Sequence, residues 1–276
     1  MGELRAVQAA DTSIASVPAT TRSLAGDLAA LGVHPGGVYL VHTSLSTLGY
    51  VVGGAQSVVD ALLESVGSTG TIMMPTFTGD LSEPSAWQKP PVPESWWPIL
   101  RAEMPAFDPQ RSGTREMGRV NELFRTYPDV IRSSHPNDSF AAFGPHAIQL
   151  LADHELTSGL GEQSPLARLY DLNGSVVMCG TGHANNTSLH LAEYRSNNSL
   201  KRMRTDGAPM MVNGKREWVS YEILDTDDGD FPEIGKAFGV QSGLEIVGPL
   251  GAGTGRVMPI RALVDFGAAW MDAQRH

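Results

Sequence analysis

One cysteine, Cys179, in 276 residues leaves no partner for an intramolecular disulfide and excludes any multi-cysteine zinc site. No stretch approaches the roughly 18 uninterrupted apolar residues that a membrane-spanning helix requires. Positive charge is scarce. Lys and Arg number 20 against 30 Asp and Glu, a net charge of −10, which is the reverse of the bias of a nucleic-acid binder. Residues 1–19 have no basic start followed by an apolar run, so they read as a flexible leader, not a secretory signal. These absences point to a cytoplasmic protein with no membrane and no nucleic-acid partner.

What is present is an ordinary globular composition, 41% hydrophobic and 18% charged, long enough for one large core or two lobes. The 30 glycines and 18 prolines suit a loop-rich α/β enzyme more than a helical bundle. No internal repeat or long linker breaks residues 20–276, which read as a single domain of interleaved lobes. The acidic balance leans towards a small cationic ligand.

The pattern begins with a helix over Thr20–Gly32, capped by Thr20 or Thr21. VYLVHTS follows as a buried parallel strand, then the amphipathic helix AQSVVDALLESVG, then a second buried strand, TIMMPTFT. Residues 38–78 thus form a β-α-β unit. Asp80–Gln110 carries five prolines between Pro84 and Pro98 together with Trp87, Trp96 and Trp97, which forbids a long helix and suits either a lid or a passive insertion. Met117–Arg125 and Ile148–His154 have helical spacing. Ala208–Val219 reads as a β-hairpin around a type I′ turn at Asn213-Gly214. The glycine-rich Gly248–Gly255 reads as a flexible turn, and RALVDFGAAWMDA as a closing amphipathic helix.

The chemistry concentrates in GSVVMCGTGHANNTSLHLAEYR, Gly174–Arg195. An apolar strand ends in a glycine-bracketed turn, and a helix carrying His190 and Glu193 follows. Two histidines, His183 and His190, are delivered together with asparagines, hydroxyls and a carboxylate. Cys179, behind three apolar residues, reads as core. The hydroxyl-rich loop His42-Thr43-Ser44-Leu45-Ser46 closes a parallel strand, where backbone N–H and hydroxyl groups can cradle a phosphate. It has neither a Walker sequence nor GxGxxG. The acidic run Glu222, Asp225, Asp227, Asp228, Asp230 and Glu233 lacks EF-hand spacing and suits several ammonium groups or plain solvation. A metal-dependent hydrolase using His183, His190 and these acids finds no HExxH support. A binder of acyl-CoA or a cationic antibiotic without turnover also stays open.

Four separated segments, VHTSLSTLGYVVGGAQSVVDALL, FDP…GRVNELFRTYPDVIRSSHP, SPLARLYDLNGSVVMCGTGH and NTSLHLAEYR, together resemble the aminoglycoside 3-N-acetyltransferase family over roughly residues 20–272. The resemblance implies a three-layer α/β/α arrangement that is not GCN5-type, with a mostly parallel central sheet plus a hairpin region. It implies acetyl-CoA as co-substrate, transfer of acetyl to a primary amine, and no metal. By position it makes His190 the catalytic base, with Glu193, Glu222 and Glu233 as candidates for the carboxylate that orients it. It places the coenzyme on the His42–Ser46 loop and Gly53-Gly54, with Arg132-Ser133 as a second contact. The acidic run falls where the cationic sugar binds, and His183, on the turn, is either a substrate contact or a structural residue. Relatives acting on other amines make a biosynthetic amine the alternative substrate.

Overall fold

The computed structural model of the chain describes residues 17–88 and 90–275. The expected leader falls mostly outside them. At its end Ala19 is buried, and its backbone pairs with Tyr50 and Val52. The chain opens with α1 (Thr21–Ala30), whose N-terminus is closed by a reciprocal capping box between Thr20 and Ser23. Then follow β1 (Val38–Thr43), α2 (Ala55–Val66), β2 (Thr71–Pro75), α3 (Trp97–Glu103) and α4 (Gly118–Phe124). Next come β3 (Ile131–Arg132), β4 (Phe140–Phe143), α5 (Ala147–Leu151), α6 (Pro165–Asp171), β5 (Ser175–Cys179) and α7 (Ser188–Arg195). The hairpin β6 (Met203–Val212) and β7 (Lys215–Leu224) precedes α8 (Phe231–Ser242), β8 (Ile246–Leu250), β9 (Gly253–Pro259) and α9 (Ile260–Gln274).

Seven strands form one sheet in the order β3-β4-β2-β1-β5-β9-β8. β1 pairs in parallel with both β2 and β5, at the centre. The outer pairings, β2 with β4, β4 with β3, β5 with β9 and β9 with β8, are antiparallel. Five strands therefore share one direction, and β4 and β9 run against them. The parallel core is where the β-α-β pattern placed it. The glycine-rich segment read as a turn is instead the strand pair β8–β9. Small residues hide it in the sequence, yet they are needed for close approach. A Cβ at Gly253 would meet the Thr47 carbonyl, and one at Gly255 the Leu31 side chain.

Strand alternation divides the interior in two. Tyr39, Val41, Ile72, Met74 and Val177 point to the face covered by α1, α2 and α4. Leu40, Met73, Val176 and Met178 point to the face covered by α5 through α9. Each fully buried Leu, Phe or Met adds about 1.5–3 kcal/mol relative to exposure. The same alternation aims His42 at the α7 face and Thr43 at the α4 face. The proline- and tryptophan-rich tract packs on the hairpin, with Leu81, Met104 and Phe107 forming a small core that Trp87 and Trp218 flank. Among the described residues no helix is long and apolar enough to cross a membrane.

Candidate active site

α7 starts after the short turn His183–Asn185 and presents its residues beside the carboxyl end of β5. Leu189, Leu191 and Ala192 anchor it in the core, which leaves His190 on the flank with its side chain 16% exposed. Glu193, one helical turn on, is buried. Its Oε2 stands 2.7 Å from His190 Nδ1. With Nδ1–H donating to this carboxylate, the other ring nitrogen, Nε2, is left for a second partner. The His190 ring also rests against Phe231 of α8, with centroids 4.9 Å apart.

Of the three candidate carboxylates, Glu193 is the one bonded to His190, and the other two lie elsewhere. Glu233 is exposed in the first turn of α8, and exposed Glu222 accepts a hydrogen bond from Thr205 across the hairpin. Two residues of the acidic run bond into the network around this pair. The backbone N–H of Asp227 donates to Glu193 Oε1 at 2.8 Å, and Arg275 Nη1 donates to the same oxygen at 2.8 Å. Arg275 in turn forks onto both carboxylate oxygens of Asp230. Asp227 and Asp230 thus serve the dyad, while Asp225 faces Arg204 at 3.4 Å and Asp228 is exposed. Burial is affordable for Glu193 because each oxygen is met by a donor.

His42 lies at the carboxyl end of β1, paired in register with Met178. It is buried, and its Nε2 has no hydrogen-bond partner. Burial, and secondarily the neighbouring His190, pushes its pKa down to about 3, so it is a neutral imidazole at physiological pH. Thr43 points away, its hydroxyl donating to Asn121 of α4 at 2.9 Å. The Ser44 N–H continues the β1–β5 ladder by donating to Cys179 O. Leu45 opens a short 3-10 turn, and Ser46 is exposed. Gly53 and Gly54 both have positive φ, 81° and 62°, and form the entry to α2 that a side chain would strain.

The two residues expected as a second coenzyme contact are bonded within the chain. Arg132 is engaged on every guanidinium nitrogen, by Thr76, Ser139, Pro109 and Ser112. Burial lowers its pKa to about 10. Ser133 is buried, its hydroxyl between the Phe140 N–H and His154 Nδ1. Both residues are bonded to the chain around β3 and β4. His183, expected at the substrate, is buried and bonded through Nε2 to Glu245 at 3.0 Å, which Arg256 also holds. Its ring packs so closely on Gly235 of α8 that a Cβ there would overlap it. Cys179 is buried as expected, and burial raises its pKa to about 12.

Sequence reasoning missed Asp138 and Arg275. Asp138, ahead of β4, is close enough to couple electrostatically to His190, and burial raises its pKa. Its polar segment SSHPND was the available signal. Arg275 had none, because it lies 82 positions from Glu193. A cavity of about 960 Å3 lies between residues 105–114 and the hairpin, but neither His190 nor Glu193 lines it. Among the described residues no group of three or more His, Cys, Asp or Glu converges as metal ligands would.

The sequence profile described as aminoglycoside 3-N-acetyltransferase matches residues 40–272. The SPbeta prophage-derived aminoglycoside N(3')-acetyltransferase-like protein YokD of Bacillus subtilis (strain 168) is 44% identical over 254 residues, 92% of each chain. The crystal structure of YokD superposes with a TM-score of 0.91 at 42% identity, covering 94% of this chain and 95% of that one. Aminoglycoside N(3)-acetyltransferase VII of Streptomyces paromomycinus is 37% identical over 268 residues, again 92% of each chain. A structure of AAC-IIIb in binary complex with CoASH superposes with a TM-score of 0.84 at 33% identity, over 94% of this chain and 98% of that one. With a profile match across most of its length and relatives covered nearly end to end, the chain belongs to the aminoglycoside 3-N-acetyltransferase family.

Proposed function

We propose that this enzyme transfers an acetyl group from acetyl-CoA to the 3-amino group of the 2-deoxystreptamine ring of an aminoglycoside, with His190 as general base. The observation that carries this reading is the His190–Glu193 pair, 2.7 Å apart, with Nε2 left free beside the ends of the parallel strands. An amine attacks a thioester only as the free base. His190 Nε2 takes the proton that the nitrogen loses, and Glu193 stabilises the resulting imidazolium. The imidazolium returns that proton to the departing thiolate. Such assistance is worth about 10²–10⁴-fold.

His42, neutral and with an unpartnered nitrogen, offers a polar contact near the thioester without competing for the proton. The Thr43–Ser46 loop and the Gly53-Gly54 entry to α2 stand beside these groups at the strand ends, and residues 20–276 act as one catalytic unit in the cytoplasm. The family and the CoASH complex of AAC-IIIb support the choice of donor. The exposed carboxylates of Asp225, Asp228 and Glu222 leave negative charge near the hairpin for a polyamine substrate.

The test is release of free thiol from acetyl-CoA with a panel of aminoglycosides and small non-aminoglycoside amines. Release with 2-deoxystreptamine compounds, and product acetylated at the 3-amino group, is expected. Release only with small amines would shift the substrate to a biosynthetic amine, and no release with any amine would overturn the assignment.

A further inference from the structure

We propose that Arg275 is a positioning residue of the dyad, holding Glu193 in place and thereby setting how tightly His190 and Glu193 together hold a proton. This inference rests on the reading of His190 as the base. Glu193 is 2% exposed, and a carboxylate so buried needs a donor on each oxygen and an opposite charge nearby. His190 takes Oε2, and Arg275 Nη1 and the Asp227 N–H take Oε1. The guanidinium is itself fixed: Nε and Nη2 grip Asp230, and Nη2 also reaches the Asp227 carbonyl. Planar, forked donation of this kind fixes direction as well as charge, which an ammonium group does not. Its hydrogen bonds to Asp230, then to Glu193, hold Arg275 well above the usual arginine range, so its charge is permanent.

The charges behind His190 are Glu193, Arg275 and Asp230, negative, positive and negative. His190 therefore faces one net negative charge rather than the two that would remain without the arginine. Removing the arginine raises the proton affinity of the coupled pair, whichever member carries the proton. Other titratable groups coupled to the pair are His42 from β1, which is neutral, Asp138 ahead of β4, and, through Glu193, Tyr194 of α7 and Lys201 after it. None of the four is hydrogen-bonded to Arg275, so all are kept in the comparison. Behind the carboxylate is a cavity of about 300 Å3 bordered by Glu193, Arg275, Asp230, Lys201 and Arg202, and His190 is not part of its lining. A small planar cation fits there without entering the reaction side.

The experiment compares wild type, Arg275→Ala and Arg275→Lys in the thiol-release assay, with the His190 ring titrated by NMR in each. For Arg275→Ala we expect kcat to fall about ten- to a hundredfold with KM for acetyl-CoA unchanged. The acid limb of the kcat profile and the His190 titration should both move up by about one pH unit. Millimolar guanidinium chloride should restore part of kcat, and sodium chloride at the same concentration should not. Arg275→Lys should keep the wild-type acid limb and lose part of kcat. A folded Arg275→Ala protein with unchanged kcat and unchanged titration overturns the proposal. So does a loss of kcat that guanidinium does not relieve and that leaves the titration in place. If Arg275→Ala does not fold, an acid limb displaced in Arg275→Lys contradicts it. If wild type releases no thiol with any amine, the acetyltransferase reading fails, and the NMR titration alone still decides whether Arg275 tunes the pair.

Discussion

A histidine becomes a useful base when its far nitrogen is fixed, and here the fixing residue is one turn away on the same helix. Spacing of three residues allows this contact without requiring it. What requires it is the surrounding chain, because Glu193 has donors from α9's end and from the loop before α8 that hold its second oxygen. Glu193→Gln keeps the shape but lets the amide donate to Nδ1, which forces the proton to Nε2, the wrong tautomer for a base. Its kcat should fall about 10²–10⁴-fold, with coenzyme affinity unchanged in a calorimetric titration. Glu233→Gln, on an exposed position, should leave kcat within twofold of wild type, an approximate bound set by its distance from the hydrogen-bonded network. Equal losses in the two variants would remove the distinction drawn between these carboxylates.

At the scale of elements, α8 is held against the turn before α7 by His183 lying on Gly235. Gly235→Ala inserts a methyl group into that ring, so α8 must move. Overpacking of this kind costs typically about 1–3 kcal/mol. A lowered melting temperature is expected, with a loss of activity because α8 carries Phe231 against the His190 ring. A variant as stable as wild type would show that His183 does not tie α8 down. The hairpin, the β-α-β unit and the helix with His190 were legible because periodicity and an Asn-Gly turn are local signals. α8 was not, since its acidic start resembles a solvated loop and its helical face emerges only with Phe231, Ile234 and Phe238 packed in the core. β8 and β9 were hidden by glycines whose value lies in contacts with distant residues. Arg132, Ser133 and His183 also bond to residues that no local pattern names. Polar residues near a motif look available until their partners, far off in sequence, are brought in by the fold.

Across the whole molecule, buried histidines couple stability to pH. Burial pushes both His42 and His154 down to about 3, whereas an unfolded chain takes up those protons near pH 6.5, roughly the free-histidine value. Between these values the unfolded state binds more protons, so stability falls as pH falls below about 6.5, by up to about 1.4 kcal/mol per pH unit for each histidine. Asp138, whose pKa is raised by burial, opposes this from about pH 3.9 upward, roughly the free-aspartate value. Urea midpoints should decline from pH 7 to pH 5, and His154→Gln should flatten that decline. A midpoint that does not change between pH 7 and pH 5 would contradict the burial argument for both histidines. The central claim, that this chain moves an acetyl group through His190, is tested most directly by thiol release from acetyl-CoA by wild type and His190→Ala side by side, with acetyl-CoA affinity measured on both. The predicted result is a loss in kcat of about 10²–10⁴-fold with acetyl-CoA affinity retained, and a variant with wild-type kcat would contradict it.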